Sequence, residues 1–384
     1  MNQLPRRLTA ALALAPIVGL SVFYAWPFVT LITEAVTTTT IADTIGRRST
    51  WEVVWFTAWQ AVVSTVATIV IGLAPAYVVA RFDFRARTVL VGLLTAMFVL
   101  PTVVMGAAFL ALLPESLGRT MWAVIGAHIV FNLAVVVRVV GSLWEHLPDD
   151  MEGAAATLGA SRWQIVSQIS LPLVRPAVIS AATIVFLFTF TSYGVIRVLA
   201  APGTRTIEVE IWRRATQLGD VGGAAVLALV QLGILAALVT WSTVLQRHHA
   251  RTLHLQPRCA RRRPRGLGER RFVRATAAVT LLAAGAPLVA LAVRSFSTPS
   301  GWSTAAWSNL GRAEIRPGIR TGIDPVGAMI NSLVNAVWAT LFAVTIGALA
   351  SLAIVAATRS GKALDGALML PLATQLVGEQ RPCD

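Results

Sequence analysis

Residues 53–80 read VVWFTAWQAVVSTVATIVIGLAPAYVVA, an unbroken stretch without Asp, Glu, Lys or Arg. A helix rises about 1.5 Å per residue and a bilayer's hydrocarbon core is about 30 Å thick, so about 20 apolar residues cross it. The stretch is long enough to do so. Uncharged runs of the same kind occupy 8–33, 88–114, 176–196, 221–246, 275–293 and 326–358. Residues 120–144 join them if Arg138 lies near the span's end, where a long side chain reaches the interface. This predicts an all-α, polytopic transmembrane helical bundle of eight spans. A ninth apolar stretch, 366–378, is too short to cross.

Composition agrees. Hydrophobic residues make up 56% of the 384 positions and charged residues 13%, against about 25% charged in an ordinary soluble domain. The first run follows Arg6 and Arg7 but holds 26 residues, beyond the about 7–15 of a signal peptide's apolar region, and no convincing A-x-A site. It reads as an uncleaved first helix. Two cysteines, Cys259 and Cys383, cannot build a disulfide framework. The net charge of +14 would suit nucleic acid, but its position argues otherwise. With the amino terminus inside, the inner segments carry 19 Lys or Arg and the outer ones 10. The positive-inside rule then favours a multi-pass protein of the bacterial cytoplasmic membrane with an inside amino terminus and no nucleic-acid partner.

Residues 246–274, with Arg261, Arg262, Arg263 and Arg265 around Pro264, have the composition of a flexible, solvated connector at the anionic inner membrane face. His248, His249, His254 and Cys259 lie in it, but their spacing matches no strong zinc pattern, so no metal site is expected. The connector divides the chain into a first half, 1–245, with six spans, and a partial second half, 275–384. The second half begins the first again: Thr65–Gly72 reads TVATIVIG and Thr340–Gly347 reads TLFAVTIG, and Leu100-Pro101-Thr102 is echoed by Leu370-Pro371-Leu372. A full second copy would hold six spans, and the closing QLVGEQRPCD at 375–384 turns abruptly polar. The expectation is a truncated or frameshifted second half.

The stretch between the fourth and fifth spans, Met151 to Leu173, reads MEGAAATLGASRWQIVSQISLPL. Ala154, Ala155 and Ala156 favour helix, Gly159 permits a tight turn, and Ile165, Val166 and Ile169 place an apolar stripe on a second short helix. Pro172 is expected to end that helix before the next span. The result is a helix–turn–helix knob lying at the membrane surface.

These residues resemble the EAA loop of the inner-membrane permeases of binding-protein-dependent ABC importers. That pattern is EAA, three variable residues, Gly, nine variable residues, Ile, one variable residue, then Leu-Pro. Ala154, Ala155, Gly159, Ile169, Leu171 and Pro172 fall on it in register. Gly153 stands at the acidic position, with Glu152 one residue earlier as the neighbouring carboxylate. The resemblance implies a type I ABC importer permease whose coupling segment, 151–172, docks a separate ABC ATPase through Glu152, Gly153, Ala154, Ala155, Gly159, Ile169, Leu171 and Pro172. It also implies alternating access, an extracytoplasmic substrate-binding protein as a second partner, and ATP bound by the partner subunit, with no cofactor on this chain. Two fused halves with a basic linker look like the iron(III) and thiamine permeases, which makes ferric iron or thiamine the expected cargo. Sulfate, polyamine and phosphonate permeases have similar halves and remain alternatives, as does a truncated fragment that does not transport.

Catalytic signatures are missing. Gly361-Lys362 lacks the earlier Gly and the following hydroxyl of a phosphate loop, and neither His-Glu-x-x-His nor Gly-x-Ser-x-Gly occurs. His128 and Asn132 share a helix face, where they line a substrate path or hydrogen-bond between helices. Arg138 and Arg197 also fall within or at the ends of spans. Glu208 and Glu210 fall in an outer loop, either solvated or touching a binding protein. Trp26, Trp51, Trp55, Trp122, Trp144 and Trp241 sit near span ends, as interfacial anchors do.

Overall fold

The computed structural model describes residues 14, 16–19, 21–147, 153–155, 157–250, 261–298, 301–308, 310, 314–316, 319–320 and 325–356. Its main helices are α1 (Trp26–Ala35), α2 (Thr38–Gly46), α3 (Arg48–Arg81), α4 (Arg87–Val99), α5 (Thr102–Leu112) and α6 (Met121–Glu145). They continue with α7 (Leu171–Phe190), α8 (Gly194–Leu199), α9 (Ile207–Thr216), α10 (Val221–Ala250), α11 (Leu267–Ser295) and α12 (Pro325–Ala356). Among the described residues seven helices are long and apolar enough to cross a membrane, or eight if the bent pair α4–α5 counts as one span. The short stretch 366–378 and the echo at Leu370-Pro371-Leu372 lie outside the described residues.

Two expected spans are redrawn. The run 88–114 is not one helix: α4 and α5 meet at 113° across Leu100 and Pro101. Proline pushes the residue before it out of the helical region, and Leu100 takes φ −61° and ψ 138°. The run 176–196 is also displaced, because the helix starts at Ile165, runs to Phe190 and stops before Thr191. Pro172 therefore does not end the preceding helix. A π-helical turn, Ile165–Ser170, leads into it, and the Leu171 N–H reaches back five residues to the Val166 carbonyl. Widening the helix there makes room for a ring that would strike the carbonyl four residues back.

The chain forms two compact units. One, Thr38–Leu291, centres on α6, which is buried along most of its length. Helix α3 packs on it inside out relative to a soluble helix. Thr57, Gln60, Ser64 and Thr68 are buried, while Val62, Val66 and Val70 are exposed. Such a helix suits hydrocarbon on its apolar face. Gly72 brings α3 close to α6: a Cβ built there would lie 2.8 Å from Val136 Cγ1. Trp144 is buried rather than anchored at an interface, with its ring 5.2 Å from that of Tyr77. Trp26, Trp51, Trp55, Trp122 and Trp241 are exposed.

The connector is more ordered than its composition suggests. Residues 246–250 continue α10, 251–260 lie outside the described residues, and 261–274 fold onto the foot of the bundle. Arg262 forms two bonds to Glu269, at 2.9 and 3.0 Å, and lies 4.7 Å from the centre of the Phe82 ring. Its N–H donates to the Arg81 carbonyl and its own carbonyl accepts from Asp83. Arg261 Nη2 donates to Glu145 Oε1 at 2.6 Å. Three carboxylate contacts and a two-way backbone match outweigh the solvation that composition alone predicts.

The segment between α8 and α10 is likewise structured. Helix α9 buries Glu210 against Arg213 (2.7 Å), Arg214 (3.1 Å) and Arg205 (3.7 Å), so Glu210 is no solvated loop acid. Glu208, half-buried, accepts from Gln231 Nε2 on α10 at 2.6 Å.

The other unit is built on Met1–Thr37 and Ala292–Gln375. In it α12 exposes Val334, Val337, Leu341 and Val344, and a small hairpin pairs Ser297–Thr298 with Gly301–Trp302.

Two outcomes follow from this packing. Gly72→Leu should destabilise the purified protein by about 1–3 kcal/mol, read as a lowered melting temperature, and Val136→Ala should restore part of the loss. For Glu210, burial favours the neutral acid, but hydrogen bonds and charge from Arg213 and Arg214 outweigh it and hold the carboxyl below its ordinary value. A depressed carboxyl contributes stability above its unfolded value, about 4.3, and loses it as pH falls through the folded one. Resistance to thermal unfolding should therefore fall on acidification below about pH 4.3, with a flatter acid slope in Glu210→Gln.

Candidate functional site

The segment between α6 and α7 is an elbow built from two local capping motifs. Its first arm is a helical turn over residues 153–157, of which 156 is not described; Glu152 lies outside the described residues. The arm ends in a Schellman cap: Ala160 N–H donates to the Ala155 carbonyl at 3.0 Å, and Gly159 adopts φ +86°. Among the described residues no atom lies within 4 Å of where a Gly159 Cβ would sit, so its glycine is needed for conformation rather than for space. The second arm begins at once with a capping box. Gln164 N–H donates to Ser161 Oγ at 3.3 Å, and Ser161 N–H donates to Gln164 Oε1 at 2.8 Å. With both ends capped, the turn between the arms has little freedom.

The docking residues expected from the sequence fall into two places. Gly153, Ala154, Ala155 and Gly159 form the first arm and tip, with Ala155 half-buried and the others exposed. Ile169, Leu171 and Pro172 lie further along the second arm, about 15 Å of helix from its start. They form a stem, with Ile169 half-buried and Leu171 and Pro172 exposed. Two tip residues were not singled out from sequence: Leu158 is 88% exposed and Trp163 76% exposed. Their signal was an apolar residue on each side of a capped glycine turn, and Ser-x-x-Gln was the signal for the box itself.

The stem is continuous with α7, which runs into the bundle and breaks at Thr191–Tyr193 before α8. That break is held by side chains from two other helices. Gln60 Nε2 on α3 donates to the Thr189 carbonyl at 2.9 Å. His128 on α6 lies between Ser64 Oγ (3.2 Å) and Ser192 Oγ (2.9 Å), so one ring joins α3, α6 and the break. In a neutral ring one nitrogen donates and the other accepts, and a hydroxyl answers either. Asn132 Nδ2 donates to the His128 carbonyl at 2.9 Å, and both residues are buried. The second break, at Leu100–Pro101, lies beside the first: Gly194 packs on Val103, and Gly106 packs on Val198.

Comparison with known proteins places this arrangement. Residues 68–254, which hold the elbow and both breaks, match the family model for the binding-protein-dependent transport system inner membrane component. The thiamine transport system permease protein of Escherichia coli strain K12 is 29% identical over 214 residues, covering 51% of this chain and 40% of that protein. The probable molybdenum ABC transporter permease protein of Haloferax volcanii is 30% identical over 183 residues, covering 45% of this chain and 67% of that protein. The chain thus spans about two fifths of the length of the thiamine permeases it matches. Among solved structures, that of a bacterial alginate ABC transporter, in complex with an alginate pentasaccharide-bound periplasmic protein, shares the fold. Its TM-score is 0.54 at 14% identity, covering 63% of this chain and 95% of the matched chain. By family model, relatives and fold, the chain belongs to the family of binding-protein-dependent transport system inner membrane components.

Proposed function

We propose that this chain is the membrane-spanning permease subunit of an ABC importer in the bacterial cytoplasmic membrane, with its amino terminus inside, driven by a separate ATP-hydrolysing subunit and fed by a substrate-binding protein. On this reading residues 1–245 are one permease half, 246–274 a connector and 275–384 part of a second half. The observation that carries it is the rigid elbow at 153–164 joined without interruption to a helix that enters the bundle. A partner gripping the exposed Leu158 and Trp163 moves the stem, and about 39 Å of continuous helix over Ile165–Phe190 carries the displacement to the break at Thr191. Gly153, Ala154, Ala155 and Gly159 supply a close-fitting tip, and Ile169, Leu171 and Pro172 seat the stem. ATP is held by the partner, and this chain transports rather than catalyses.

The cargo is a small solute. Thiamine is the better supported of the two expected from sequence, because the thiamine permeases are relatives of this chain, and no relative reported above is named for iron.

Affinity purification of the tagged chain from its native cells tests the docking. The wild-type chain should recover a nucleotide-hydrolysing subunit. Gly159→Arg, which forces a bulky residue into the φ +86° position, and Trp163→Ala should each lower that recovery about tenfold or more, as loss of an anchor worth about 2 kcal/mol does, with membrane insertion unchanged. Equal recovery from all three, or labelling of a cysteine placed at Ser161 from outside the cell, would overturn the proposal.

A further inference from the structure

Helix α9 does not lie on the surface. Its first N–H, from Ile207, donates to Thr57 Oγ1 at 2.9 Å, and its Glu208 accepts from Gln231 at 2.6 Å. Thr57 stands nine residues into α3, which starts at Arg48, and Gln231 ten residues into α10, which starts at Val221. At 1.5 Å per residue the start of α9 is therefore about 14 Å along the bundle from the first residues of both helices, packed against them rather than beyond their ends.

The polar atoms gathered there are unevenly matched. Gln231 is 7% exposed, and its Oε1 has no partner among the described residues. Thr206, the residue that opens α9, is fully buried with Oγ1 unmatched. Gln60, one helical turn beyond Thr57, is fully buried and has its Oε1 unmatched, although its Nε2 is bound to the Thr189 carbonyl. A buried acceptor left unmatched costs about 1–3 kcal/mol. A visitor carrying matching donors would answer such groups.

The charges set the sign of the visitor. Arg205, Arg213 and Arg214 are committed to Glu210, and Arg214 also meets Asp220 at 3.5 Å. Arg197 lies over the Trp212 ring and is exposed. Glu208 is thus the one acid of α9 with no arginine partner among the described residues. An oxyanion entering here would meet a carboxylate and amide oxygens, whereas a cation with N–H groups would satisfy both.

We propose that Glu208 and Gln231, flanked by Gln60 and Thr206 at the buried start of α9, form a recognition point for a cationic solute bearing hydrogen-bond donors, an ammonium or aminated heteroaromatic cation, and reject oxyanions. This deepens the permease reading and rests on it for its physiological meaning.

The test is equilibrium binding to the purified chain in lipid nanodiscs, with thiamine, putrescine, sulfate and molybdate as probes. At least one cation should bind saturably and neither oxyanion should. Glu208→Gln, which keeps a hydrogen-bonding side chain opposite Gln231, and Gln231→Leu should each weaken cation binding tenfold or more while the melting temperature stays close to that of the wild type. In the unmutated protein the bound cation should slow modification of Glu208 by a hydrophobic carbodiimide, a readout that does not depend on any variant folding. Saturable oxyanion binding, cation binding that survives both substitutions, absence of binding by every probe, or unprotected Glu208 would each overturn the assignment. Protein that still recovers the ATPase in the docking test but binds no cation loses this assignment alone. Protein that binds the cation without recovering the ATPase loses the docking reading instead.

Discussion

The structure depends on keeping hydrogen-bonding groups matched where no water can match them. Unbroken helices do this for their own backbones, and most of this chain is made of them. The exceptions are informative. Where α7 stops at Phe190, the freed Thr189 carbonyl takes a bond from Gln60, and Ser192 takes one end of the His128 ring. Two of the buried polar residues of α3 serve this: Gln60 reaches the interrupted backbone directly and Ser64 reaches it through the His128 ring. His128 acts as an interhelical bracket of that interruption, while Asn132 bonds back to the His128 carbonyl within α6.

The same requirement explains how a mechanical element can enter the bundle. The elbow at 153–164 matches its own polar groups through a Schellman cap and a capping box, so its geometry needs no support from neighbours. A proline would ordinarily interrupt the helix that follows. The π-helical turn before Leu171 accommodates Pro172 without breaking the rod. A rigid tip, a continuous rod and a bracketed break form one path from the proposed docking surface to the polar interior.

Charge is treated differently at the two ends of the Thr38–Leu291 unit. At the foot, Arg261 and Arg262 are folded against Glu145, Glu269 and the Phe82 ring. Within the segment 205–220, Glu210 collects three arginines and Glu208 collects none among the described residues. Equal numbers of acids and bases in the short segment 205–220 hide this partition, since charge counts carry no information about which acid a guanidinium reaches.

Much of the fold was legible from residues alone. Long uncharged runs determine membrane helices because hydrocarbon thickness sets a length and excludes charge, and both are properties of a linear string. The elbow was legible in outline for a similar reason: Ala154 to Gly159 act within a few residues of one another, and local motifs need no distant partner, though the box at Ser161 and Gln164 emerged only in the structure. Tertiary structure decided the rest. Whether Leu100–Pro101 bends a span, whether Arg261 and Arg262 stay in water, whether Trp144 anchors or packs, and which acid of α9 is left without a base all depend on residues far away in sequence. No pattern within the string ranks those long-range contacts, because each is chosen by the packing of several helices at once.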